Sequence, residues 1–554
     1  MYNFNEVPNQ VNIRTKFRDV WNHKTTGNAG DIIPIYWKEI LPHDEIKINV
    51  AALIKMTTPS YQTMDNLWAD IHFYYTPNRL LWEHWKEFQG EKSVGPDEVQ
   101  PEYTIPYTSS PIGGWTENTI ADYLGIPTKV TGVQVDSRYF RNYALIWNEW
   151  YRDQNRQDFT DFSKGDENTM GSNGSDRKVD PIKGGRCLKA AKIHDYFTSS
   201  LLTPTGKERV YLPLGNSAAV LPKNGVNNMV SLANFAPMKF AKQGNGALAN
   251  NTSYTLTVQT ANSTAEQKEA MLQQGTTGTA SSSAPMLYPT NLVADLSEAT
   301  QVTVNQLRMA FQLQKIYEAN NRSGSRYIET LRNRWNVIPS DATLQRPEFL
   351  GGVRIPLNID MVLQTSSTNE ESPLGQVSGF SHTFNNELTI SKGFEEHGIL
   401  MGFAIIRTQR TYQQGLSKFF SRRTMEDFYM PEFQNLGEVA ILNKEIYFSG
   451  NTTKDNEVFG YQEYAGEYRS TPNRVTGEFR SNATNSYDNW HYADDYAETP
   501  VNGAEWIEEN EANVDRTLTV TSAVANQFQF DIDFEEENVR YMPPHSIPGY
   551  IDHH

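Results

Sequence analysis

Two stretches of this 554-residue chain set cations and aromatic rings close together. Near the start, Arg14, Lys16, Arg18 and Lys24 surround Phe17 and Trp21, and Asp19 is the only carboxylate between residues 10 and 26. In the second, Arg407, Arg410, Lys418, Arg422 and Arg423 fall within 17 residues, followed or interrupted by Tyr412, Phe419, Phe420, Phe428 and Tyr429. Cations neutralise phosphates and rings stack on bases, so this mixture suits single-stranded nucleic acid. Seven residues stand out for such a contact: Arg14, Lys16, Arg18, Trp21, Lys24, Arg422 and Arg423. The first stretch reads as an extended arm, which suits packing on a neighbouring subunit equally well. Taken alone, the second also fits a core strand followed by a solvated loop.

Catalytic patterns are missing from the sequence. It has no G-x-S-x-G elbow, no G-x-x-x-x-G-K-[ST] loop and no H-E-x-x-H helix. A loose G-x-G-x-x-A at 244–249 lies in low-complexity text with no strand before it. Asp494-Asp495 and Glu508-Glu509 could serve a glycosidase, although carboxylate runs are ordinarily solvated faces. Arg186 and Lys189 beside Cys187 favour a lowered thiol pKa, but no catalytic partner is apparent. The Gly/Asn/Ser/Asp loop at 161–180 lacks the ligand spacing of an EF-hand. The expectation is a protein that is not an enzyme, with no cofactor and no metal.

The elements that must position the basic stretches read as β-rich. Residues 399–406 (ILMGFAII) form an apolar run of strand length without alternation, which predicts a strand buried on both faces. Strands are also predicted at 32–41 and 46–56, around the turn signal Pro42-His43-Asp44, and at 66–76, 352–364 and 438–448. Alternation marks another within 516–533. Helices are predicted at 78–89, between Pro77 and Gly90, and at 118–125, 137–153 and 304–320. Trp82, Trp85, Trp147 and Trp150 lie on these helices, and their rings are expected to pack in the core or against a neighbouring subunit.

Composition narrows the class. The net charge is −17, so the chain as a whole is no polyanion-binding module; aromatics make up 12% at a mean hydropathy of −0.60. Large rings carried among polar loops give that combination. Residues 485–539 hold fourteen acidic residues against Arg516 alone and account for most of the net charge. Such a segment is poorly placed against DNA and is expected at an interface, on the exterior or binding cations. One cysteine excludes an intramolecular disulfide framework. The opening MYNFNEVPNQ has no secretory signal, and no apolar run has membrane-spanning length, so folding in a cytoplasm is expected. Residues 243–285 are Gly/Asn/Ser/Thr/Ala/Gln-rich, and charges cancel across 215–301, which predicts a polar surface excursion.

Several blocks together carry a resemblance: KTTGNAGDIIPIYWKEILPHDE (24–45), DNLWADIHFYYTPNRLLWEHWKEFQGE (65–91), HDYFTSSL (194–201), EEHGILMGFAIIRTQRTYQQGL (395–416), SRRTMEDFYMPEFQNLGEVAILNKEIY (421–447), GYQEYAGEYRSTPNRVTGEFRS (460–481) and the ending PPHSIPGYIDHH (543–554). In these the chain resembles the major capsid proteins of the microviruses (Microviridae), phages with single-stranded DNA, and most closely the gokushovirus-like branch. Nothing between 215 and 301 takes part, where that branch is similar in carrying a variable insertion.

The resemblance implies a mainly β fold: an eight-stranded antiparallel jelly roll with long helix-containing loops. Residues 1–214 and 302–554 would form the core, with 215–301 an insertion protruding from the surface. It also implies sixty copies in a T=1 icosahedral shell around a circular single-stranded DNA genome, in a virion assembled in the host bacterial cytoplasm. The partners implied are further copies, the genome, other virion proteins such as a pilot protein or spike, and a host receptor reached through 215–301. The family's DNA contacts do not transfer residue by residue onto the basic candidates. A bacterial cell-surface carbohydrate-binding protein is the alternative drawn from the Trp, Tyr and Asn content, and it would need an export signal.

Overall fold

Eight strands carry the core: β1 (Arg14–Gly27), β2 (Ile33–Ile40), β3 (Glu45–Met56), β4 (Leu67–Pro77), β5 (Glu348–Pro356), β6 (Thr383–Gly393), β7 (Gly398–Thr408) and β8 (Phe528–Tyr541). The computed structural model describes residues 14–95, 97–206, 304–365, 374–375 and 377–545, together with the backbone of short strands between 219 and 295. One sheet runs β1-β8-β3-β6 and the other β5-β4-β7-β2, with every pairing antiparallel. That strand order is the jelly roll. Its two sheets close on each other, and the long connections grow outward without breaking either sheet.

The central run shows why one strand lacks alternation. Leu400, Ala404 and Ile406 of β7 point into the cluster between the sheets, with Ile48, Ile71, Phe530 and Phe534. Their neighbours Ile399, Met401, Phe403 and Ile405 enter a second cluster on the opposite side. That cluster is built on helix α1 (Ser137–Ile146), which a π-turn extends to Tyr151, and it contains Phe140, Tyr143, Trp147 and Trp115. Each large apolar side chain so enclosed contributes ~1.5–3 kcal/mol. The β5-β4-β7-β2 sheet is thus covered on both faces, and β7 must be apolar throughout. The β1-β8-β3-β6 sheet keeps an exposed face, so β3 and β8 alternate between buried and exposed positions. At Gly402 an added Cβ would lie 2.7 Å from the Phe73 ring, so the close packing of β7 on β4 requires glycine there.

The turn after β2 follows its sequence signal. His43 adopts φ 71°, and the buried Asp44 carboxylate accepts from the Leu41 backbone N–H at 3.0 Å. Other predicted boundaries move. The single helix expected at 78–89 is a 3₁₀ turn (Asn78–Leu80) followed by one short α-turn (Trp85–Phe88). The expected strand at 352–364 divides at Leu357-Asn358, and its second half, Ile359–Leu363, pairs with Val377–Ser381 instead. The strand at 438–448 stops at Leu442, where the helix Asn443–Ile446 begins. Helix α2 runs Val304–Ser323, and α3 (Tyr327–Trp335) follows without having been predicted.

Residues 208–316 form a second compact unit. Within it, Ala219–Pro222 pairs with Leu292–Asp295, Phe240–Lys242 with Leu287–Pro289, and Thr255–Gln259 with Met271–Gly275, all antiparallel. The loose glycine motif at 244–249 lies outside the described residues.

Candidate assembly and nucleic-acid surfaces

The basic stretch at the start is no free arm. It is β1, an edge strand paired along its whole length with β8, which brings Arg18 opposite Glu537, Asn22 opposite Asp533 and Lys24 opposite Asp531. The outward residues make a ladder of ion pairs: Lys16 with Glu537 at 2.9 Å, Arg18 with Glu535, and Lys24 with Asp531 at 3.0 Å. Arg14 reaches Glu45 at 3.1 Å. The amine and guanidinium heads of Lys16, Arg18 and Lys24 remain largely in water. Trp21 turns the other way. Its ring packs on Tyr36 and Phe534, and Nε1 donates to the buried Glu536 carboxylate at 2.7 Å. It is a half-buried packing residue.

The second basic stretch also proves different from its sequence reading. Arg407 and Arg354 both hold the buried Asp70 carboxylate. Burial pushes that carboxyl up, but the two guanidinium groups outweigh it and hold it below the usual carboxylate range. Arg410 is fully enclosed against Asp494 at 3.1 Å and against Glu509, and Lys192 approaches Asp494 at 3.5 Å. Burial would raise Asp494, yet Lys192 and Arg410 bring it down to about 2, with help from Tyr496 and Asn513. The solvated basic loop is therefore, at its first two arginines, a buried ionic network.

Arg422 and Arg423 separate. The Arg422 guanidinium pairs with Glu467 at 2.8 Å and lies 4.7, 5.2 and 4.8 Å from the ring centres of Phe419, Phe428 and Tyr468. This caged cation has only 7% of its side chain exposed. Arg423 points outward; its backbone N–H donates to the Asp427 carboxylate at 2.6 Å, but its guanidinium has no carboxylate partner among the described residues.

Several acidic residues of 485–539 are matched within the subunit: Asp531, Glu535 and Glu537 of β8 by β1, Glu536 by Lys38 of β2, Asp494 and Glu509 by Arg410, Glu508 by Arg177 and Glu511 by Lys189. For these carboxylates, the expectation of an interface or cation-binding role gives way to internal pairing. Cys187 also departs from its reading, because burial and the Asp31 carboxylate raise its thiol pKa. Among the described residues, no group of three or more His, Cys, Asp or Glu is placed to hold a metal ion.

Of the four tryptophans expected in the core or at a subunit contact, three are buried inside the subunit: Trp82 and Trp147 fully, Trp85 nearly so; Trp150 is half-buried. Apolar surface is exposed elsewhere, at Phe420, Met425, Phe428 and Tyr429 and at Trp335, Val337 and Ile338. The sequence signal for it was a dense run of aromatics without helical or strand periodicity, which gives no packing direction.

A jelly roll with aromatic surface in water fits a protein built to associate. Comparison with known families decides which. The family model described as "Capsid protein (F protein)" matches residues 5–550. The chain belongs to this capsid protein family. It is similar to Capsid protein VP1 of Bdellovibrio phage phiMH2K, with 39% identity over 553 residues, 99% of this chain and 97% of that one. Capsid protein VP1 of Spiroplasma virus 4 is 37% identical over 535 residues, 95% and 94% of the two chains. Capsid protein VP1 of Chlamydia phage 1 is 33% identical over 589 residues, 99% and 97%. As a microvirus capsid protein, the chain has a structural role in the phage virion. Among the described residues, no helix is long and apolar enough to cross a membrane.

Proposed function

We propose that this capsid protein is the repeating subunit of a closed T=1 shell of sixty copies around a circular single-stranded DNA genome, assembled in the host bacterial cytoplasm. The carrying observation is full-length likeness to three phage capsid proteins joined to a complete jelly-roll strand order. Residues 215–301 serve as the host-contact region in this reading, supported by their polar, low-complexity sequence. Other virion proteins, a pilot protein or spike among them, complete the particle.

Of the seven genome-facing candidates, the reading keeps Lys16, Arg18, Lys24 and Arg423, whose charged heads are in water. Three of these already have carboxylate partners, so each phosphate contact must exchange one ion pair for another. Genome retention by this face is therefore modest per subunit and strongly dependent on salt.

The test is particle mass and sedimentation of the purified protein, with and without nuclease. A closed particle of about sixty subunits carrying nuclease-protected DNA is expected. A discrete monomer or small oligomer under all conditions would refute the shell. Deleting 215–301 should leave particles intact and impair attachment to host cells; loss of assembly would make the segment structural.

A further inference from the structure

Two exposed surfaces of the jelly-roll unit each carry apolar side chains and are opposite in charge. The first is the segment after β7. Phe420 and Met425 are 70% and 68% exposed, with Phe428 and Tyr429 beside them. Phe428 and Tyr429 are held from behind: the caged Arg422 ties Phe419, Phe428 and Tyr468 together, and Tyr429 packs on Tyr464 and Tyr468. Between residues 423 and 433 the surface carries Glu426, Asp427 and Glu432 against Arg423 alone. Glu426 and Glu432 have no cationic partner among the described residues.

The second surface is the end of α3. Trp335 is 72% exposed and Ile338 70%, with Val337 between them. The helix is anchored from behind. Glu329 accepts from the Arg326 backbone N–H at 3.0 Å and from Gln154 at 2.7 Å, while Arg326 donates to the Asn148 carbonyl at 2.9 Å. Asn336 closes it in the left-handed region, with φ 54°. Its outward charges are Arg332 and Arg334, and neither has a carboxylate partner among the described residues.

We propose that these two surfaces bind each other between copies of this chain, the aromatic segment 420–432 of one subunit receiving Trp335 and Ile338 of the next. Glu426 and Glu432 then meet Arg332 and Arg334 around the apolar centre. The inference rests on the shell reading and gives it a contact. Aromatic rings, methionine and arginine at the centre with charges at the edge form the composition of specific protein interfaces. Both segments are anchored from behind, by the Arg422 cage and by the Glu329 and Arg326 hydrogen bonds, which lowers the ordering cost of association. Because the two patches differ, the contact joins one patch to the other rather than either to itself.

Charge reversal tests this in the full-length chain, with association followed by sedimentation velocity over a concentration series. Arg332→Glu/Arg334→Glu and Glu426→Arg/Glu432→Arg should each weaken association at least about tenfold by placing like charges together. The four-site variant should recover most of that loss. All four positions are exposed, and each variant's thermal midpoint should match the parent. Association of either double variant at parental strength, or a four-site variant no better than the doubles, overturns the interface and leaves the shell reading intact. A parent chain that never associates overturns both.

Discussion

Lys24 and Asp531, 507 positions apart in the chain, face each other across β1 and β8 and form an ion pair of 3.0 Å. With Lys16–Glu537 and Arg18–Glu535 it makes a charge ladder on the exposed face of the first sheet. One of the chain's two basic segments and the acidic end of its most acidic one are thereby matched.

Pairs this exposed add little to stability because water and salt screen them. Replacing Lys16, Arg18 and Lys24 together by alanine should lower the thermal midpoint slightly at low ionic strength and hardly at all in ~1 M salt. The same variant should still release DNA from particles at lower salt than the parent. A large stability loss independent of salt would mean the side chains are held by something other than charge.

Arg410 is the opposite case. Arg410→Ala removes a buried cation and leaves Asp494 and Glu509 facing Lys192 alone, which should cost ~3–5 kcal/mol. Equilibrium unfolding in urea would measure it. The pH dependence has a definite sign. Asp494 is depressed from 3.8 to about 2 by Lys192 and Arg410 against the effect of burial, so its contribution is complete above pH ~4 and is lost as pH falls toward 2. A variant as stable as the parent would show that the network is replaceable by packing.

His72 on β4 titrates in a separate window. Burial lowers its imidazole from 6.5 to about 4, Asp70 partly opposing and Arg407 and Arg354 adding to the shift. The unfolded chain takes up this proton first. Stability should therefore fall as pH drops from 6.5 toward 4, with this group adding a slope of up to ~1.4 kcal/mol per pH unit. His72→Gln, which can still meet the Tyr151 hydroxyl that lies 2.9 Å from Nδ1, should flatten that part of the profile. Identical slopes in the two proteins would rule out His72 as the source.

Arg422 and Arg423 are neighbours with unlike consequences. Arg422→Lys keeps the charge but loses the flat guanidinium that three rings surround, and should destabilise by roughly 1–3 kcal/mol. Arg423→Ala should leave the melting temperature unchanged. Equal effects at both sites, by differential scanning calorimetry, would contradict the cage.

The sequence by itself determined much of the framework. Strands β2, β3, β4 and β7 follow from local pattern, because a sheet face in contact with a core must be apolar at every buried position. The burial of β7 on both faces was legible for that reason, as was the turn at Pro42-His43-Asp44. β6 was not, since its exposed edge position leaves a polar, weakly alternating text, and β1 read as an arm because every outward position in it is charged or polar except Val20. Charge showed where the cations are but not what they face. Ion pairs such as Lys24–Asp531, Arg407–Asp70 and Arg410–Glu509 join residues from 99 to 507 positions apart. Only the tertiary structure decided that Arg410 is buried and Arg423 exposed, and that Trp147 belongs to the core while Trp335 stands in water. Local composition sets which groups are present; long-range strand pairing sets their neighbours, and the neighbours fix each group's solvation and partners.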